Sequence, residues 1–235
     1  MKKAANIIPL RRIHNLLFPK VGEIWMLHGV VGAAGDTVAG RLEVDLDRVT
    51  RKIDALLQMG MCFCSIGDVP GRVSTRQSFV SVTFDDGYLD TYTLAYPALK
   101  ARNIPFCVYA TRDFYMGMAW PQWSPSAKMM SSSQLKELSL DPLCTIGVHT
   151  CTHPHLDMLP AETQRQELAV CKQDLEQLIG REVVHMAYPH GDYNQITVGL
   201  CRELGFVTAV AANGRTVRTD SRPLELERVD AAVIV

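Results

Sequence analysis

Short apolar runs rich in β-branched and aromatic residues alternate along this chain with longer stretches whose apolar positions recur every three or four residues. The short runs predict strands at Glu23–His28, Met61–Ile66, Phe79–Phe84, Pro105–Ala110, Thr145–His149, Val183–Tyr188 and Phe206–Ala211. The longer stretches predict helices at Leu46–Met59, Leu89–Arg102, Ser131–Ser139, Ala161–Ile179 and Asn194–Leu204, with Gly60 and Gly180 as stops. Met116–Met130 has no clear period and reads as a long loop. Strand–helix alternation at this spacing implies a parallel α/β sheet or barrel. Such folds gather their chemistry at the C-terminal ends of the strands, so the polar residues just beyond each strand matter most.

Composition narrows the class. At 235 residues, with 47% hydrophobic and 21% charged, the chain reads as one globular domain over 1–235, with residues 1–20 as an N-terminal helical extension. Lys plus Arg (24) nearly balances Asp plus Glu (25), a net charge of −1 that gives no field for nucleic acid. No apolar run reaches the ~18 residues of a transmembrane helix. Pro9, Arg11 and Arg12 interrupt the first apolar stretch and no cleavage pattern follows, so a cytoplasmic location is expected. Arg11, Arg12 and Lys20 around Ile13, Leu16, Leu17 and Phe18 read either as a capping helix or as a membrane-surface segment. The seven cysteines are odd in number and include no CxxC pair, which fits reduced core residues rather than a disulfide framework.

The residues after the expected strands form a coherent set: His28, Asp85 with Asp86, His149 with His153, and His190. Adjacent carboxylates at the end of an apolar strand are costly to bury unless a cation neutralises them. Asp85-Asp86-Gly87 taken alone also fits a surface turn. His149 and His153, four residues apart, have the spacing of two ligands on one metal, and Pro154 places them in a turn after a strand. One carboxylate and two imidazoles leave open positions for water and substrate, as a hydrolytic metal requires.

Thr83-Phe84-Asp85-Asp86-Gly87 and His149-Thr150-Cys151-Thr152-His153, with Pro154-His155-Leu156 following, resemble two motifs of the polysaccharide deacetylase family (NodB homology domain, carbohydrate esterase family 4). The resemblance implies a distorted (β/α) barrel of about seven strands that removes acetyl groups, usually N-acetyl groups of amino sugars. It implies that Asp86, His149 and His153 bind a divalent metal, with zinc the default and cobalt or nickel also accepted. It makes Asp85 the general base. The third motif, usually R-x-P-[FY]-G, corresponds to Ala187-Tyr188-Pro189-His190-Gly191, so Ala187 stands where an arginine would orient the base. Arg228 is the substitute we select, against the alternative of a surface salt bridge. The His190 backbone N–H falls at the family's oxyanion donor, and Tyr188, Pro189, Trp120 and Trp123 are assigned to substrate binding. The family's C-terminal L-x-H is absent. Met26-Leu27-His28 resembles it in a motif-permuted subgroup, the biofilm poly-N-acetylglucosamine deacetylases, which makes His28 the general acid.

The expected activity is therefore metal-dependent N-deacetylation of an amino sugar in a glycan, glycolipid or nucleotide sugar of envelope polysaccharide synthesis. Peripheral membrane association would then come through a lipid-linked substrate. The alternatives are O-acetyl ester or cyclic-amide hydrolysis at the same metal, and a carbohydrate-binding module without catalysis.

Overall fold

A computed structural model of the chain describes residues 19–32, 43–119, 121 and 127–234. The expected N-terminal helix over 1–20 lies almost entirely outside these residues, as do Trp120 and Trp123. The described residues open with β1 (Lys20–Leu27) and a short parallel pair, β2 (Gly29–Val31) with β3 (Glu43–Asp45). Asp45 caps α1 (Leu46–Gln58), its carboxylate accepting from the Asp47 and Arg48 amides. After α2 (Val69–Thr75) comes β4 (Phe79–Phe84), then a helical stretch that begins as a π turn at Thr91–Ala95 and continues as α3 (Tyr96–Lys100). β5 (Phe106–Ala110), α4 (Arg112–Tyr115), α5 (Ser132–Ser139) and β6 (Cys144–Val148) follow. The second half holds α6 (Ala161–Ile179), β7 (His185–Ala187), α7 (Gln195–Glu203), β8 (Thr208–Val210), β9 (Val217–Arg218), β10 (Val229–Asp230) and α8 (Ala231–Ile234).

Seven strands run in parallel in the order β10-β1-β4-β5-β6-β7-β8, with β9 antiparallel on β1. The sheet curls into the distorted barrel that the strand–helix alternation predicts. Its two edges are joined through one short stretch of chain. Leu226 exchanges backbone hydrogen bonds with Ala209 and Ala211 at β8, and Val229 pairs with Trp25 of β1. Arg228 therefore sits in the seam that closes the barrel.

Alternation along the strands sorts side chains into two cores. Val82, Phe84, Phe106, Val108, Ile146 and Met186 face the helices, where they meet Leu168, Cys171 and Leu175 of α6. Ile24, Phe79, Tyr109, Ala187, Val210 and Leu226 fill the barrel interior together with Ile66 and Val69. Gly147 is required here: a Cβ on it would lie 2.4 Å from the Tyr109 ring. All seven cysteines are free thiols.

Met61–Ile66 does not form the expected strand. Only Phe63 bridges β4, at Val80, and the chain then turns into a 3-10 turn at Ile66–Asp68 and α2. Cys64 and Ile66 join the barrel interior, while Met61 and Phe63 pack against the helix-facing core, so their burial does not come from a strand ladder. Val183–Tyr188 and Phe206–Ala211 shorten to β7 and β8, because Tyr188 and Ala211 already belong to the loops and seam at the mouth.

Candidate active site

The loops after β1, β4, β6 and β7 and the seam segment converge on one cavity of about 340 Å³. Its walls include Met26, His28, Asp85, Asp86, His149 and His153. Tyr188, His190, Gly191, Ala212 and Arg228 complete the lining. Asp86, Thr150, His153 and His190 all take left-handed backbone, with φ between 60° and 69°. Such conformations cost of order 1–3 kcal/mol each for non-glycine residues and persist where surrounding contacts impose them. Here they turn adjacent side chains toward one point, which an extended strand cannot do.

Asp85 is fixed by Arg228. The guanidinium donates from both terminal nitrogens to the two carboxylate oxygens, each at 2.6 Å. It is itself held by the Ala211 carbonyl at 3.0 Å and by the Thr83 hydroxyl at 3.1 Å, and its carbon lies 5.7 Å from the centre of the Tyr109 ring. Both partners are buried, Arg228 at 1% and Asp85 at 2% exposure, so this is not a surface salt bridge. Burial acts to raise the Asp85 pKa, but the Arg228 charge and hydrogen bonds outweigh it and hold the carboxyl well below the usual range. Ala187, in the family's arginine position, is buried inside the barrel and offers only its backbone carbonyl to the site.

Asp86 has the opposite environment. It is buried, and neither carboxylate oxygen accepts a hydrogen bond of standard geometry. Burial first and the Asp85 charge second push its pKa well up; the Tyr88 hydroxyl is near enough to oppose this slightly. His149 Nε2 and His153 Nε2 lie 3.5 and 3.4 Å from the same oxygen, Oδ1. Burial lowers the His149 pKa to about 4 and that of His153 to about 2, so both rings are neutral at pH 7. The His149 Nδ1–H donates to the Ala187 carbonyl at 2.8 Å, which leaves the Nε2 lone pair facing Asp86.

These features fit a divalent cation. One ligand atom from each of Asp86, His149 and His153 lies within 4.8 Å of the others. A buried carboxylate with unsatisfied oxygens beside two lone pairs is stable as an anion only against a positive charge. Cys151 is not part of the set; it is buried and its backbone is tied to α6.

His28, just beyond β1, places Nε2 3.9 Å from Asp85 Oδ2. Burial is the main influence on it and holds its pKa below the ordinary value, while Asp85 and Asp230 pull upward and Arg228 downward. His190 donates from its ring to the His153 backbone carbonyl and stacks at 3.8 Å on His155, whose Nδ1 meets Asp192 at 2.8 Å. Tyr188 lines the cavity, its ring stacks on Tyr193, and its hydroxyl donates to the Leu224 carbonyl. Pro189 is buried beneath the turn and is not part of the cavity wall. Thr83, the first residue of the Thr83–Gly87 motif, supports Arg228, a role its place in the motif does not signal, and the Ala187 carbonyl is a backbone acceptor with no signature in sequence.

A curled parallel sheet with paired carboxylates and imidazoles at the C-terminal ends of its strands has the architecture of a hydrolase. The chain belongs to the polysaccharide deacetylase family, whose pattern matches residues 72–209. YxkH of Bacillus subtilis (strain 168), assigned to the polysaccharide deacetylases, is 27% identical over 150 residues, covering 64% of this chain and 50% of YxkH. The chain thus matches half the length of that curated relative. IcaB from Ammonifex degensii has 25% identity and a TM-score of 0.75, covering 90% of this chain and 92% of that one. The Streptococcus pyogenes deacetylase PplD, solved with acetate, shares the fold with a TM-score of 0.77 at 24% identity, covering 88% and 91%. Among the described residues no helix is long and apolar enough to cross a membrane.

Proposed function

We propose that this chain is a metal-dependent hydrolase that removes an N-acetyl group from an amino sugar. The observation that carries the reading is the pairing of unlike carboxylates: Asp85 locked as an anion by Arg228, and Asp86 left unsatisfied against two neutral imidazoles. Asp86, His149 and His153 would hold the ion, with zinc the default. When bound, it supplies Lewis acidity, polarising the acetyl carbonyl and lowering the pKa of water.

Asp85 accepts the proton of the attacking water at its carboxylate. Arg228 keeps that carboxylate ionised and fixes its plane. The backbone N–H of His190, in the turn at the cavity wall, is assigned to the developing oxyanion. His28 donates the proton that lets the amine leave. Because burial keeps the resting imidazole neutral, His28 must first gain a proton, and Asp85 at 3.9 Å is the adjacent group that acquires one from water. The cavity, at about 340 Å³, has room for the acetamido end of a sugar, and the mouth leaves the rest of a glycan, glycolipid or nucleotide sugar outside.

Purified protein should release acetate from N-acetylated glycans, lose the activity with a chelator and regain it with Zn2+, Co2+ or Ni2+. Undiminished turnover in metal-stripped protein would refute the metal reading. Retained sugar binding with no acetate release in metal-replete protein would instead favour a binding module. His28→Ala is expected to lower amide turnover by about 10²-fold, within the range of general acid catalysis. An O-acetyl ester should be less affected, because an alkoxide leaves more readily than an amine anion. Equal losses on matched amide and ester substrates would remove His28 as the leaving-group acid.

A further inference from the structure

The turn that carries His149 and His153 is held from outside by a residue of α6. Glu167 Oε2 accepts from the consecutive backbone amides of Cys151 and Thr152, at 2.8 and 2.9 Å, and its Oε1 accepts from the Thr152 hydroxyl at 2.8 Å. One carboxylate thus fills the anion-binding concavity formed by successive N–H groups. The span it grips lies between two left-handed residues, Thr150 and His153, at φ 66° and 61°. Other contacts complete the frame. The Thr150 and Cys151 carbonyls accept from the Arg112 and Asp113 amides, the Thr150 hydroxyl accepts from the His153 amide at 3.0 Å, and the His190 ring holds the His153 carbonyl.

The two imidazoles differ in how they are held. His149 follows β6 directly and is fixed by the Ala187 carbonyl. His153 lies four residues further along the turn, and its place relative to Asp86 depends on the path between. That path is short, twice left-handed, and anchored at its midpoint by Glu167. Without the carboxylate, two adjacent amides and a hydroxyl lose their acceptor, which leaves Cys151 tied by its carbonyl to the Asp113 amide and Thr152 without its contacts to α6.

We propose that Glu167 is a positioning residue that sets the affinity of the Asp86, His149 and His153 site for a divalent ion by fixing the turn that presents His153. This rests on the metal reading above and goes beyond it, since Glu167 touches neither the ion's ligand atoms nor the cavity wall. Removing such an outer partner typically weakens metal binding by about 10–100-fold.

The test is Co2+ binding, followed by visible absorbance and by competition with a chelator, for the parent chain, Glu167→Ala, Glu167→Gln and Thr152→Val. Glu167→Ala should bind about 10–100-fold more weakly, yet approach the parental kcat once Co2+ is saturating. Glu167→Gln should stay within roughly threefold of the parent, because its amide oxygen can accept both N–H groups while its NH2 donates to the Thr152 hydroxyl. Thr152→Val should fall in between, and it decides the matter if Glu167→Ala does not fold. A general loss of structure would instead lower kcat at every Co2+ concentration and leave the affinity of the folded fraction unchanged. Parental affinity in Glu167→Ala, or in Thr152→Val where that variant decides, overturns the role of Glu167. Glu167→Gln falling as far as Glu167→Ala overturns the hydrogen-bond account. A parent chain that binds no Co2+ overturns the metal reading itself, and this proposal with it.

Discussion

Replacing Arg228 with methionine should destabilise the protein by about 3–5 kcal/mol, the usual cost of leaving one member of a buried ion pair alone. Asp85 would lose both 2.6 Å hydrogen bonds while remaining at 2% exposure. The barrel seam would lose its ties to Ala211 and Thr83 as well. The effect on pH follows from the sign of the shift. Asp85 has a depressed pKa in the folded state, so the stability it contributes is present above its unfolded pKa and is lost as pH falls through the folded value. Without the guanidinium, burial is opposed by His149 and His28 but no longer by Arg228, and the Asp85 pKa rises. The acid limb of kcat/KM should then move to higher pH by about 1–3 units, the range for loss of an opposite charge at contact distance. Arg228→Lys should lie between, since an ammonium supplies charge without the two-pronged geometry. Denaturant melts and a pH–rate profile measure both effects. A variant with parental stability and an unmoved acid limb would show that Arg228 does not orient the base.

Asp85→Asn should lower kcat by about 10²–10⁴-fold, the range for a lost general base, while the protein still takes up its divalent ion. Asp86→Ala should lose the ion. The contrast is informative because the residues are adjacent and differ only in environment. Asp85 faces a guanidinium and Asp86 faces two neutral imidazoles. Metal analysis of the two variants, alongside acetate release, separates the roles; an Asp85→Asn protein without metal would show that the assignment is reversed or shared. Asp85→Asn also leaves Arg228 as a buried, poorly compensated cation, so its melting should be compared with that of the double variant carrying Arg228→Met. The double variant should recover part of the lost stability, because no buried charge then lacks its partner.

Much of the scaffold could be read from local pattern. Phe79–Phe84 and Ala161–Ile179 match β4 and α6 residue for residue, because a short run of β-branched and aromatic residues and a 3.6-residue period ending at a left-handed glycine are decided within the segment. Ser131 predicts a capped start, and its side chain does accept from the Gln134 amide in a reciprocal box. Met61–Ile66 has the composition of a strand but divides its apolar side chains, with Cys64 and Ile66 in the barrel interior and Met61 and Phe63 against the helix-facing core, a need visible only once both cores exist. β9 and β10 are two residues each and are defined by partners rather than by their own sequence.

The sequence by itself determined which residue types stand beyond each strand: Asp85 and Asp86, His149 and His153, His190, and His28. Strand periodicity and motif spacing are local properties, and they carry this information intact. The tertiary structure alone decided the electrostatic difference between the two neighbouring aspartates. That difference comes from Arg228, which lies 143 positions from Asp85 along the chain and reaches it across a barrel seam. It also decided that His149 presents Nε2 to Asp86, through a backbone carbonyl at Ala187, and that Glu167 grips the ligand turn. Charge pairing, burial and tautomer depend on distances across the fold, and no periodicity along the chain encodes them.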